Sequence, residues 1–188
     1  MADVIIERHH DDWLPAGRTL TRTIEDVLGD AASRVEHIGS TSIPAMDAKP
    51  IFDLQVSVAD LDKAEREFAP VLAAQGFTLS PYRFDHVPAG RDDPRELWTK
   101  RLWIRRGGPG PDVNLHVRLL GSPNERLALL FRDWFRARPQ AVAAYARFKR
   151  LLAGVTPDVG TYADVKDPVV DLVIVAAEEW AERTDWRP

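Results

Sequence analysis

Cysteine is absent from this 188-residue sequence, which excludes disulfides and thiolate metal sites and fits a reducing compartment. Long apolar runs are also missing, since no stretch approaches the roughly 18 residues that a membrane span needs. Residues 1–13, MADVIIERHHDDW, lack the basic and apolar regions of a secretory signal. We therefore expect a soluble, cytoplasmic protein without a membrane partner.

The sequence has no excess of positive charge, because its formal net charge is -4 at pH 7. This balance argues against a general nucleic-acid-binding surface but leaves room for a local basic pocket that binds one anionic ligand. A chain of this length with 45% hydrophobic residues can bury one substantial core. We therefore expect residues 1–188 to form a single domain.

Hydrophobic periodicity predicts a helix over residues 13–28, strands over 51–58 and 77–79, and a hairpin of 97–106 with 113–120. A helix capped by Asp60 or Asp62 ends at Gly76, and further helices begin at Ser122, Pro139 and Thr161. Ser122 and Glu125 have the spacing of a capping box, and Pro168 predicts a kink or a fresh helix start. This order of elements favours a mixed α+β fold with a helix-covered sheet.

Residues 35–58 are the most informative stretch, because a small-residue turn precedes an apolar strand that carries one carboxylate. Strand alternation places Ile51, Asp53, Gln55 and Ser57 on one face and the apolar residues on the other. In the turn, Gly39 permits close backbone approach, and Ser40, Thr41 and Ser42 offer hydroxyls beside backbone N–H groups. This composition is typical of an anion cradle, and equally of an ordinary turn.

The second strand of the predicted hairpin presents a polar row, Asn114, His116 and Arg118, opposite an apolar face. One interpretation is a solvated face, or a hydrogen-bonded core histidine. The other places His116 beside Asp53 across the sheet. Lys49 and Arg118 would then supply positive charge for an anion, although they are equally interpretable as solvated surface charges. The loop over residues 81–95 is interpreted as a tolerated insertion rather than a lid.

Four segments in order, EHIGSTSIP, AKPIFDLQVSV, the block beginning NLHVRLLGSPNER, and Tyr162-x-x-x-Lys166, resemble the GrpB family. Members of that family resemble the nucleotidyltransferase superfamily. The resemblance implies a nucleotidyltransferase-like mixed sheet covered by helices, with a C-terminal helical layer. Gly39, Ser40 and Asp53 match the superfamily pattern, whereas Gln55 stands where the superfamily has its second metal-binding carboxylate.

The resemblance implies a protein that binds a nucleotide or another phosphorylated small molecule, with metal-dependent nucleotidyl transfer as one hypothesis. Asp53 and His116 are its expected catalytic residues, and Asp53, Gln55 and His116 its expected ligands for Mg²⁺ or Mn²⁺. The expected phosphate-binding residues are Gly39, Ser40, Thr41, Ser42, Lys49 and Arg118. Two alternatives remain: a binding module without transfer activity, and a structural or partner-binding domain with exposed Trp98, Trp180 and Trp186.

Overall fold

The computed structural model describes residues 4–108 and 110–188, and in them a five-stranded sheet has the order β1-β2-β5-β4-β3. The strands are β1 (Arg34–Ile38), β2 (Ile51–Val58), β3 (Thr78–Leu79), β4 (Lys100–Arg105) and β5 (Asp112–Leu119). The central pair, β2 and β5, is parallel, and the other neighbouring pairs are antiparallel. The predicted hairpin is therefore confirmed as β4 and β5.

Five helices flank the sheet: α1 (Trp13–Leu28), α2 (Leu61–Ala74), α3 (Pro123–Arg136), α4 (Pro139–Ala153) and α5 (Val159–Thr184). The side chains of Phe52, Leu54, Val56 and Val58 pack with residues of α1 and α2 in one core. The opposite face of the sheet looks toward α3, α4 and α5, which form two further apolar clusters. The expected α+β architecture with a C-terminal helical layer is confirmed, as is the face assignment of β2.

Two helix caps show how local chemistry competes with tertiary contacts. Asp60 caps α2 as predicted, because its carboxylate accepts from the amides of Asp62 at 2.8 Å and Lys63 at 2.9 Å. The capping box at Ser122 is wrong. The Glu125 side chain turns inward, where it accepts from Ser57 Oγ at 2.7 Å and pairs with the Arg34 guanidinium. The charged pair of Glu125 with Arg34 is stronger than the capping-box hydrogen bond that Glu125 would otherwise accept from the Ser122 amide, and it forms instead.

Helix α5 begins after Asp158, whose carboxylate accepts from the Thr161 amide at 2.9 Å, and it continues through Pro168. The helix therefore begins two residues before the predicted start at Thr161, and of the two alternatives predicted at Pro168 the fresh start is wrong. Proline removes one intrahelical hydrogen bond. Buried residues on both sides of it, Tyr162 and Ile174, anchor the two halves of the helix and offset that loss.

The segment before β4 also differs from expectation. Arg95–Trp98 is a 3₁₀ turn rather than the start of a strand, and Trp98 is only 2% exposed within an apolar cluster. The expectation that Trp98 is exposed is wrong, because its indole packs under α3 and α5, and Trp180 and Trp186 are partly buried. Near the start of the chain, Glu7 forms an isolated antiparallel bridge with Ala48. Throughout residues 4–108 and 110–188, no helix combines the length and apolarity required to cross a bilayer.

Candidate functional site

A cavity of about 540 Å³ lies between the polar face of the sheet and the C-terminal helices. The turn after β1, the middle of β2 and β5, the loop around residue 85, and helices α3, α4 and α5 all contribute to its walls. Its polar lining includes Ser40, Lys49, Asp53, Asp85, Lys100, Asn114, His116, Arg118, Lys149, Lys166 and Asp171. Residues that are distant in the chain therefore meet in one cavity.

Asp53 lies near the start of β2, opposite Asn114 of the parallel strand β5, and faces this cavity. Its Oδ1 accepts from Asn114 Nδ2 at 2.7 Å and lies 3.6 Å from His116 Nε2. Arg118 Nη2 lies 3.4 Å from His116 Nδ1, so that nitrogen is the acceptor and Nε2 carries the proton toward Asp53. The structure thus brings Asp53, His116 and Asn114 together, as strand parity predicts for the first two.

The titration of this pair is set by opposing effects. Burial raises the pKa of Asp53, but hydrogen bonding and charge from His116, with Asn114 and Lys49, hold the pKa below its usual value. Burial lowers the pKa of His116, and the Arg118 cation lowers it further against the influence of Asp53. At neutral pH the pair is therefore a carboxylate that faces the N–H of a neutral imidazole.

The Gly39 to Ser42 turn presents only part of its hydroxyl row to the cavity. Ser40 lines the cavity, whereas Thr41 and Ser42 are buried. Thr41 Oγ1 pairs with His37 Nε2 at 2.9 Å, and Ser42 Oγ donates to the Gly39 carbonyl at 2.6 Å. The hydroxyls of Thr41 and Ser42 therefore stabilise the turn, and Ser40 supplies the hydroxyl that faces the cavity.

Gln55 and Arg118 are mostly occupied by protein contacts. Gln55 is fully buried, its Nε2 donates to the Glu125 carbonyl at 3.1 Å, and its Oε1 accepts from Arg118 Nη1 at 2.6 Å. Arg118 also donates through Nε to Asp85 at 2.8 Å. The amide oxygen of Gln55 is thus committed to the guanidinium and does not face the cavity as a cation ligand would.

Lys49, Lys149 and Lys166 line the cavity together with Ser40. Lys149 from α4 donates to Ser40 Oγ at 2.8 Å and lies 5.1 Å from the Tyr145 ring centroid, while Lys49 lies 5.3 Å from that of Tyr162. Burial, with the charges of Lys166 and Lys49, lowers the pKa of Lys149 to about 7. Burial and Lys166 also lower the pKa of Lys49. Cations that repel one another in a partly desolvated pocket favour the binding of an anion.

The loop over residues 81–95 is part of the site rather than a loose insertion. Its Asp85 accepts from Lys100 at 2.5 Å, from Arg118 at 2.8 Å and from Asn124 at 3.0 Å. Farther along, the carboxylate of Asp171 in α5 accepts from the Ala89 amide at 3.0 Å and lies 3.1 Å from His86 Nε2. The segment therefore connects β4 and β5 to α5 across one side of the cavity.

Sequence reasoning missed Asp85, Lys100 and Lys149. The loop composition gave no signal for Asp85, because a single acid among Pro, Gly and Arg residues is ordinary loop chemistry. For Lys149, a charged residue within the apolar stripe of α4 was the available signal. Tyr162 and Lys166, quoted for the family resemblance, both lie at the cavity.

The donor set decides how well a divalent metal would fit. Asp53 offers one carboxylate, His116 offers a nitrogen that Mg²⁺ accepts poorly, and Gln55 is engaged by Arg118. In the described parts of the chain, no three His, Cys, Asp or Glu side chains converge in a metal-binding group. One carboxylate and one imidazole do not suit a pair of metal ions bridged by carboxylates.

The sequence model of the family described as GrpB protein matches residues 3–175. The chain belongs to the GrpB family. The structure is also similar to the crystal structure of the conserved protein GrpB from Enterococcus faecalis, with a TM-score of 0.68, 24% identity, and coverage of 94% of this chain and 99% of that one. The two GrpB proteins therefore share the whole fold.

Two curated relatives illustrate the range of chain lengths. UPF0157 protein BH1888 of Halalkalibacterium halodurans is 37% identical, and the match covers 94% of this chain and 83% of that protein. A protein of Mycobacterium leprae named dephospho-CoA kinase is 34% identical over 93% of this chain but only 46% of its own length. The chain thus spans a little under half of that relative, whose name applies to the whole, longer protein.

Proposed function

We propose that this GrpB protein binds a nucleotide or another phosphorylated small molecule, with the phosphate at Lys49, Lys166 and Ser40, beside Lys149. The observation that carries the proposal is the gathering of these three lysines at one cavity, where Lys166 lowers the pKa of Lys49, and both Lys166 and Lys49 lower that of Lys149. A phosphate provides the compensating charge and acceptor oxygens.

The ion pairs of the described residues also show uncompensated positive charge at this cavity. Lys63, Lys100 and Lys166 have carboxylate partners, whereas Lys49 and Lys149 have none within 4.0 Å. Lys149 is only 3% exposed. A buried ammonium without a counter-ion is costly, so an anionic ligand that supplies one gains affinity from that site.

The remainder of the cavity suits the body of such a ligand. Tyr145, Tyr162 and Phe131 provide aromatic surface beside the lysines, and the volume of about 540 Å³ lies within the range of small-molecule sites. Gly39 brings the backbone of the turn against Asp53, so the phosphate position and the Asp53–His116 pair are neighbours. A nucleotide fits this combination of charge, aromatic surface and size.

Asp53 and His116 are the residues we propose for any chemistry on that phosphate. One divalent ion at Asp53, bound together with ligand phosphate oxygens, would add Lewis-acid stabilisation. Because the site lacks the paired carboxylates of a two-metal transferase, we propose that binding is the main activity and that nucleotidyl transfer is slow or absent. Occupation of Gln55 by Arg118 supports this ranking over an efficient transferase.

The test is thermal unfolding with ATP, AMP, dephospho-CoA and inorganic phosphate, each with EDTA, Mg²⁺ or Mn²⁺. Dephospho-CoA is included because of the name of the mycobacterial relative. A ligand at a hundredfold above its Kd should stabilise the protein by about 2.7 kcal/mol. Asp53→Asn should remove the metal-dependent part of this gain and keep the metal-independent part.

The matched lysine variants decide the site assignment. Lys166→Met should abolish most of the stabilisation, whereas Lys63→Met should not, because Lys63 is exposed on α2 at the other face of the sheet. No stabilisation by any of the phosphorylated compounds, or equal losses in the two variants, would refute the proposed phosphate site.

A further inference from the structure

Lys149 has an environment that differs from that of an ordinary phosphate-binding lysine. Its amine is buried in α4, its Nζ lies 2.8 Å from Ser40 Oγ, and it is 5.1 Å from the centroid of the Tyr145 ring. A lysine that serves only as a fixed positive charge is usually exposed or paired with a carboxylate. Lys149 is neither, yet it lines the cavity.

The groups around Lys149 favour the neutral amine. Burial is the largest effect, the cations of Lys166 and Lys49 act in the same direction, and Asp53 opposes them, which leaves the pKa of Lys149 at about 7. Desolvation and neighbouring cations are the two means by which proteins convert lysine into a nucleophile. The neutral amine, with its free lone pair, is therefore a populated form of Lys149 at neutral pH.

We infer that Lys149 is a nucleophilic amine that condenses with the aldehyde or ketone group of a phosphorylated ligand. The phosphate part of this inference rests on the proposed function, since Lys49, Lys166 and Ser40 would hold the phosphate beside the amine. The amine, the two remaining cations and an uncharged aromatic wall line the same cavity. A phosphorylated carbonyl compound matches all three.

The chemical step balances without an oxidant or a further reactant. The lone pair of Lys149 Nζ forms a bond to the carbonyl carbon, and the carbonyl π electrons move to oxygen. The two amine protons leave with that oxygen as water, which gives an imine between Nζ and the ligand carbon. Ser40 Oγ, which accepts from Nζ in the free protein, orients the amine toward the cavity.

Pyridoxal 5′-phosphate is a suitable probe, because its imine can be reduced with borohydride and located by peptide mass spectrometry. We expect one dominant adduct at Lys149, formed faster as the pH rises through about 7. Excess inorganic phosphate or AMP should protect Lys149. Lys149→Arg keeps the charge but cannot form an imine, so it should lose the adduct, whereas Lys63→Arg should keep it.

Mapping the adduct on the wild-type protein makes the test independent of whether a variant folds. Adducts spread over Lys49, Lys166 and exposed Lys63, or no adduct at all, would overturn the inference. Equal labelling of Lys149 by pyridoxal, which lacks the phosphate, would overturn the phosphorylated ligand class. If AMP stabilises the protein and no adduct forms, the proposed function stands and the nucleophile is refuted. If no phosphate compound stabilises the protein, the proposed function fails by its own test.

Discussion

Replacing Gly39 with alanine tests how much the close packing of this turn against the Asp53 carboxylate contributes to stability. The Gly39 backbone has φ 69° and ψ -172°, a region that is accessible essentially only to glycine. A Cβ at this position would overlap Asp53 Oδ2 and would lie 2.8 Å from Asp53 Cβ. The substitution therefore imposes backbone strain and also displaces the carboxylate.

The two costs can be estimated separately. Backbone strain in this region costs about 1–3 kcal/mol. Displacing Asp53 breaks its charge-assisted hydrogen bond with Asn114, which is 2.7 Å long, and a bond of this type contributes about 1.5–3 kcal/mol. We expect Gly39→Ala to lower the free energy of unfolding by about 2.5–6 kcal/mol, the sum of these terms.

Gly29→Ala is the matched control, because Gly29 has φ 54° and ψ -146° and nothing lies within 4 Å of the position that an alanine Cβ would occupy there. Gly29→Ala should therefore lower the free energy of unfolding only by the contribution of backbone strain. Urea unfolding followed by circular dichroism gives both free energies. If Gly39→Ala costs no more than Gly29→Ala, the close packing of the turn against Asp53 does not matter to stability and the reasoning is refuted.

Two further predictions concern acid stability. Burial lowers the pKa of His37 from 6.5 to about 4, so between these pH values the unfolded chain binds a proton that the folded protein does not. The free energy of unfolding should therefore fall by about 3 kcal/mol as the pH decreases from 6.5 to 4, and His37→Gln should flatten this part of a pH profile measured by urea unfolding. Burial raises the pKa of Asp85, but Arg118 and Lys100 outweigh it and hold the pKa well below 3.8, so its stabilisation is present above that pH and lost below it. Asp85→Asn should cost about 3–5 kcal/mol at pH 7 and weaken the acid-dependent loss, and an unchanged pH profile would contradict the role of this ion cluster.

Strand periodicity was sufficient to place Asp53 and His116 on one face, because side-chain direction in a strand follows directly from position in the chain. The same rule placed Gln55 on that face but could not show what would cover it. The Glu125 carbonyl and Arg118 occupy the Gln55 amide, and both contacts depend on how α3 crosses the sheet. Local pattern predicts the face, and only packing decides whether a side chain on it remains accessible.

The residues that sequence reasoning missed are those that reach the cavity from irregular or distant segments. Asp85 comes from a loop without periodicity, and its position depends on pairing with Lys100 and Arg118. Lys149 is separated from Ser40 by 109 positions. The position of Lys149 within the apolar stripe of α4 indicates that it is buried, but no local rule identifies Ser40 as its partner.

The parallel pairing of β2 with β5 has a consequence for the order of folding. Asp53 pairs with Asn114 across 61 positions of chain, whereas the β4–β5 hairpin closes over a short turn. Closing the longer loop costs more chain entropy, so the hairpin and the individual helices can form before the central strand pair. The cavity is completed only when α4 and α5 then cover that pair. During synthesis, the ligand site would therefore appear as one of the last parts of the protein to become competent.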